Sequence, residues 1–322
     1  MILHRSLAAL VLLAGAANAE TQLQLTLPAE CILGDTCFIQ QYPDVDPSER
    51  AQDYMCQGLS YDGHKGTDFA LPSLRAMRAG VNVLAPADGI VLRVRNDMID
   101  QIYSAETATS VNGRDCGNGV VLDHGDGWET QLCHMRQGSL TVQPGETVKR
   151  GAALGLIGLS GRTQFPHVHL SLRKDGAVVD PFRPGGDCGG PGPDHLWAFS
   201  PIYQPGGLLN AGLATAVPSY SAVKEGSAAI LNLPADAPAL VAWGYGFGAR
   251  AGDVLRQTIT GPDGATIFQR SDVIDRAQAQ FFRAAGRKLR GARWTPGSYT
   301  VEIDLLRDGS IISTQTDTII SP

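Results

Sequence analysis

The chain has 322 residues, 43% of them hydrophobic, with a formal net charge of −6. That length can bury a substantial core, as one large domain or as two ordinary ones. An acidic balance without a Lys/Arg cluster of the kind that tracks phosphates argues against nucleic acid as a partner. No segment approaches the roughly 20 consecutive apolar residues needed to cross a bilayer, so no membrane span is expected.

In chain order, a short basic start at Arg5, an apolar stretch over 7–17 and the small-residue site Ala17-Asn18-Ala19 read as a signal peptide over residues 1–19. A lipid anchor would need a cysteine just after LLAGA, where the chain has Ala16 and Ala17. The expected location is periplasmic or secreted, as a soluble protein. Residues 20–60 read as an irregular N-terminal segment, with QQYPDVDPSER as a loop. Residues 61–183 are glycine-rich and strand-like, with short apolar or alternating runs at 81–84, 89–95, 119–124, 128–134 and 167–173. VLDHGDGWETQL is a hairpin signal turning at Gly125-Asp126-Gly127. The polar stretch 96–117 shows no period, and a loop of that length is expected to border or gate a cleft. Residues 184–205 read as a linker, and 206–322 as a smaller, Ig-like β-sandwich of alternating strands and tight turns. Within it, 273–288 are ambiguous between helix and strand. The expected fold class is mainly β.

Six cysteines in an exported chain point to disulfides. Cys116 and Cys133 flank the hairpin and pair first; Cys31 with Cys37 and Cys56 with Cys188 follow by elimination. A metal role for Cys133 competes with its disulfide. With His134 on a strand, alternation turns Cys133 to the opposite face, which favours the disulfide.

Only seven histidines occur, and four of them fall in three short segments: DGHKGTDFA, QLCHM and FPHVHLSLR. Imidazole and carboxylate suit Zn²⁺, and three such ligands with a fourth position open describe a catalytic zinc site. His167 and His169, two apart on a strand, address one face; alone, they fit a half-exposed strand equally well. His64 and Asp68 are separated by Lys-Gly-Thr in a compact loop, which alone is more often a pair serving backbone contacts. His134 at a strand end is uninformative by itself. Of the remaining candidates, His124 reads as structural or supporting, His195 as exposed, and Arg162 as a surface arginine or a clamp for a substrate carboxylate. Ser160 lacks the spacing of a nucleophile elbow, and no H-E-x-x-H helix is present.

Taken together and in order, DGHKGTDFA, APADGIVLRV, DHGDGWETQLCHM, TVQPGETVKRGAALGLIGLSGR and PHVHL resemble the LytM/lysostaphin-like M23 metallopeptidases. The resemblance implies a mostly antiparallel M23-type β-domain with a metal in a groove on its sheet. It implies His64, Asp68 and His169 as the Zn²⁺ ligands, and His134 and His167 as two catalytic histidines that do not bind metal. It also implies a peptidoglycan peptide as substrate. Three positions depart from the family pattern: Phe165 where a glycine is usual, Leu132 for a common tyrosine, and Ser171 where an acidic residue often stands. A competing possibility is a non-catalytic cell-envelope module that binds peptidoglycan or activates another hydrolase. Such relatives tend to lack ligands, and all five chemical positions are intact here.

Overall fold

The computed structural model describes residues 23–190 and 192–322, so the expected signal peptide at 1–19 lies outside the described residues. In chain order the first strands are β1 (Phe38–Gln41), β2 (Thr67–Ala70), β3 (Asn82–Leu84), β4 (Gly89–Arg95), β5 (Asn118–Asp123) and β6 (Trp128–Met135). Then come β7 (Thr147–Val148), β8 (Ala153–Leu156), β9 (His167–Lys174) and β10 (Ala177–Val179). The later part holds β11 (Gly207–Ala214), β12 (Ala239–Ala249), β13 (Val254–Thr260), β14 (Thr266–Val273), β15 (Gln278–Lys288), β16 (Gly297–Arg307) and β17 (Ser310–Ser321). The helices are short: α1 (Leu74–Ala79), α2 (Ala108–Val111) and α3 (Tyr220–Glu225). The fold is mainly β, as the alternating runs led one to expect.

The first sheet orders its strands β1-β2-β9-β6-β5-β4-β7, with β10 also paired to β9. Its pairings are antiparallel. Strand β9 shows why: in HVHLSLRK, Val168, Leu170 and Leu172 enter the core while His167, His169 and Ser171 take the other face. Register partners share a face, so Phe69 opposite Val168 and Leu132 opposite Leu170 extend the same core. The β5–β6 hairpin turns where expected. Gly125, Asp126 and Gly127 have φ of 83°, 50° and 76°, a left-handed run for which glycine is suited.

Several expectations change in three dimensions. The segment 20–60 is not simply irregular, because Phe38–Gln41 form an edge strand on β2. Leu25, Ile39, Tyr42, Tyr54 and Leu59 in the same segment are buried in the core. The linker 184–205 is packed rather than loose: Leu196 and Trp197 are buried, and the Leu25 amide donates to the Leu196 carbonyl at 2.7 Å. An aromatic cluster of Tyr42, Tyr54, Phe182 and Tyr203 holds these irregular pieces, with the Tyr54 and Phe182 rings stacked at 4.7 Å. Such a cluster has no sequence period, which is why it was invisible. Of the ambiguous 273–288, the last residue of β14 and all of β15 are strand, and 274–277 connect them. All three expected disulfides are present: Cys31–Cys37, Cys56–Cys188 and Cys116–Cys133.

In the later part, the sheet β11-β12-β15 faces the sheet β14-β13-β16-β17 across a shared core. Strand β12, ALVAWGYGFGA, is buried along almost its whole length. Leu240 and Ala242 face the sandwich interior, and Gly244 continues that row because a Cβ there would lie 2.7 Å from Ile303. The alternate residues Trp243, Tyr245 and Phe247 belong instead to the core of the first domain. Phe247 meets Phe38 with ring centroids 6.1 Å apart, and the Gln280 side chain bonds that of Gln40 at 3.1 Å. One face of β12 is therefore packed into the core of the first domain, while its other face lines the separate core of the sandwich. Phe247→Ala should cost about 3–5 kcal/mol and leave a single denaturation transition for the whole chain. Two separated transitions for the wild type would contradict this packing of β12.

Asp180, directly after β10, is 5% exposed, and its Oδ1 accepts from the Phe182 amide at 2.8 Å. Its Oδ2 has no partner among the described residues. Burial pushes this carboxyl up to about 7; the amides after it pull it down in part, and the charge of Asp53 adds to the rise. The folded state thus keeps a proton that an unfolded chain releases near pH 4. Stability contributed by this group is complete below that pH, falls as pH rises to about 7, and is level above, a change on the order of 4 kcal/mol. Asp180→Asn should flatten this part of the stability–pH curve in urea titrations between pH 4 and 8. An unchanged slope would show that the carboxyl titrates as an exposed group.

Candidate metal centre

Three side chains converge on the polar face of the first sheet. His64 lies in the loop before β2, Asp68 on β2, and His169 on β9 as the register partner of Asp68. His64 Nε2 is 3.3 Å from Asp68 Oδ1 and 3.2 Å from His169 Nδ1, and the last two atoms are 2.8 Å apart. Ligand atoms at zinc bond lengths in a tetrahedron are separated by ~3.3 Å, so this donor set fits a zinc ion. The chemistry of the set agrees, with two imidazoles and one carboxylate. The His64 Nδ1 donates to the Tyr42 carbonyl at 2.8 Å, which fixes the tautomer and leaves Nε2 free to bind. Gly66 is required by space. A Cβ there would lie 2.5 Å from the Leu170 carbonyl oxygen and 2.6 Å from His169 Nε2.

The other two predicted histidines stand beside this trio. The His134 and His167 rings are 4.6 Å apart, His134 and His169 are 6.1 Å apart, and His167 Nε2 is 3.4 Å from Asp68 Oδ1. All five residues are thus brought together. His134 reaches the group by an unexpected route. Cys133 is the register partner of His169 and so lies on the site face, where its sulfur is taken up by Cys116. Plain alternation would then send His134 into the core. Instead the β5–β6 register slips between Asn118 and Val120, and His134 adopts φ 61°. This bulge re-aims the ring toward Asp68 and His169, the kind of backbone strain found at functional sites. The disulfide expectation for Cys133 holds, but Cys133 and His134 do not take opposite faces as alternation implied: the bulge leaves both on the site side.

Each imidazole is oriented by the loop between β8 and β9. His134 Nδ1 donates to the Ser160 carbonyl at 2.8 Å, and His167 Nδ1 donates to the Phe165 carbonyl at 3.0 Å. The Thr163 hydroxyl lies 3.1 Å from His167 Nδ1, and the Phe165 ring stacks on His167 at 4.4 Å between centroids. Sequence patterns singled out neither Thr163 nor Tyr61, whose ring stands 4.5 Å from that of His64. Proximity to the histidine motifs was their only signal.

Electrostatics follow from burial. Desolvation would raise the Asp68 carboxyl, but the charges of His64 and His167 and the bonds from His167 and His169 hold it well below the usual carboxylate range. Burial, then the charges of His167 and His169, pushes His134 well below an ordinary histidine, which favours its neutral form. His169 is lowered by burial, against the pull of Asp68. At His64 burial also works downward, yet Asp68 and the Tyr42 carbonyl outweigh it and the net direction is up.

The remaining candidates fall outside the cluster. His124 bonds the Asp88 carbonyl at 2.7 Å and the Thr130 hydroxyl at 2.8 Å, a structural role. His195 accepts from the Trp197 amide at 3.3 Å. Ser160 is buried, and its hydroxyl donates to the Met135 carbonyl at 2.7 Å, which leaves no role as nucleophile. The stretch 96–117 lies along the β8–β9 loop, with the Tyr103 amide donating to the Thr163 carbonyl at 2.8 Å.

Residues 62–181 match the model of peptidase family M23. The peptidoglycan DD-endopeptidase ShyA of Vibrio cholerae is 32% identical over 120 residues, covering 37% of this chain and 22% of its own. The cell division protein DipM of Caulobacter vibrioides is 35% identical over 118 residues, covering 37% of this chain and 18% of its own. The chain thus spans about a fifth of the length of the curated relatives it matches. A solved M23 peptidase of Pseudomonas aeruginosa is 26% identical, with a TM-score of 0.30, over 50% of this chain and 49% of that one. Over residues 62–181, the chain carries a domain of peptidase family M23.

Proposed function

We propose that this protein is an exported zinc metalloendopeptidase that hydrolyses peptide bonds in peptidoglycan. The observation that carries the proposal is the meeting of three donor atoms at 2.8–3.3 Å beside two further imidazoles whose outer nitrogens are already engaged. His64 Nε2, Asp68 Oδ1 and His169 Nδ1 would hold the ion. When bound, zinc supplies a Lewis acid that polarises a carbonyl and brings the pKa of water to about 7. Support for the substrate comes from the relatives named as peptidoglycan DD-endopeptidases. Support for export comes from the A-x-A pattern and from three disulfides, which persist in oxidising compartments.

The protein's own groups divide the proton work. With Nδ1 donating to Ser160, neutral His134 presents the lone pair of Nε2, which takes the proton of the attacking water. The same nitrogen returns that proton to the amine as the C–N bond breaks and the new C–O bond completes the acid. His167 faces Asp68 through Nε2, and when that nitrogen is protonated it donates to the tetrahedral oxyanion. The presence of both imidazoles together with all three donors favours catalysis over a non-catalytic envelope module.

Purified mature protein should contain one zinc per chain by atomic emission and release cross-link fragments from peptidoglycan, read by mass spectrometry. His169→Ala and Asp68→Ala should lose the metal, whereas His134→Ala and His167→Ala should keep it and lose about 10²–10⁴-fold in rate. A metal-free wild type, or full rate in either metal-retaining variant, would sink the proposal. Gly66→Ala should displace the His169 ring, at about 1–3 kcal/mol of stability, and weaken zinc binding in competition with a chelator. Unaltered melting temperature and zinc affinity would refute the close packing of Gly66 on His169.

A further inference from the structure

We propose that Arg162 is a specificity-determining residue of this cleft that recognises a substrate carboxylate beside the scissile amide, an inference that rests on the peptidase reading above. The residues around it fix its place. Ser160 holds His134 through its carbonyl, and Thr163 lies 3.1 Å from His167 Nδ1. Arg162 is set between them on the same loop, so its side chain leaves from the rim of the two-histidine arrangement. The loop is rigid there: the Arg162 amide donates to the Asp115 carbonyl at 2.8 Å, and Thr163 is 3% exposed.

The guanidinium itself is poised rather than consumed. Its carbon stands over the Tyr103 ring at 5.2 Å, which preorganises the plane without using its N–H donors. The one ion pair it makes among the described residues, with Asp115, is long at 3.9 Å, and both side chains are more than half exposed. A pair of that kind contributes little. No side-chain hydrogen bond of Arg162 occurs among the described residues. A planar cation with free donors on the loop that holds both histidines fits a planar anion, and a carboxylate matches it in bidentate fashion.

The test uses the zinc-loaded full chain and two synthetic cross-linked stem peptides. One has a free carboxylate beside the scissile amide, and in the other that group is a primary amide. Binding is measured by calorimetry, apart from cleavage. The wild type should bind the free acid about tenfold or more tightly than the amide, Arg162→Gln should bind both alike, and Arg162→Lys should retain part of the preference. Zinc content and melting temperature should be those of the wild type in both variants. A preference that persists in Arg162→Gln, an equal loss on both peptides, or a wild type that does not discriminate would overturn the assignment. Absence of cleavage with the binding preference intact would instead count against the hydrolase reading.

Discussion

The register of two antiparallel strands sets everything else in the site. Asp68 on β2 stands opposite His169 on β9, which buries a carboxylate between imidazoles on the polar face of a sheet whose other face is the core. A buried charge without partners is strongly unfavourable, so the surrounding histidines and any ion they hold are its necessary compensation. A one-residue slip would exchange Asp68 for Phe69 and place an aromatic ring in the centre. The hydrophobic row Val168, Leu170, Leu172 prevents that slip, so core packing maintains the site geometry.

Around that pair, orientation is supplied almost wholly by the main chain. Carbonyls of Tyr42, Ser160 and Phe165 each take one ring N–H, and each leaves the opposite nitrogen facing the centre. Backbone acceptors are well suited to this because their positions are fixed by the fold and not by rotamers. The N-terminal segment enters the site in this way, through Tyr42. Segments that look like peripheral loops in the sequence thereby act as supports for His64.

The sandwich is bound to the first domain by Trp243, Tyr245 and Phe247, large rings that alternate with small residues along β12. Three such side chains buried at about 1.5–3 kcal/mol each exceed what a mobile tether would retain, so the two parts are joined along β12. The small residues opposite let the second sheet approach. The two faces of one strand thus perform different tasks, and a pattern that reads as a strand of a separate domain is also an interdomain seam.

The chain's order of residues by itself indicated most of the longer strands, the hairpin at Gly125-Asp126-Gly127 and the Cys116–Cys133 pair, which are carried by local period and turn chemistry. The other two disulfides followed by elimination, and the grouping of five residues into one candidate centre rested on the order of motifs resembling the M23 peptidases. What only the tertiary structure decided is non-local. Strand β1 and the buried stretch at Leu196 and Trp197 depend on an aromatic cluster gathered from distant positions. The facing of His134 depends on a bulge against β5, and alternation alone gives the wrong side. The destination of the β12 rings depends on a partner surface more than 200 positions away, at Phe38. Local chemistry is legible in a linear string because it repeats over a few residues, whereas which surfaces meet is settled by packing, for which no such period exists.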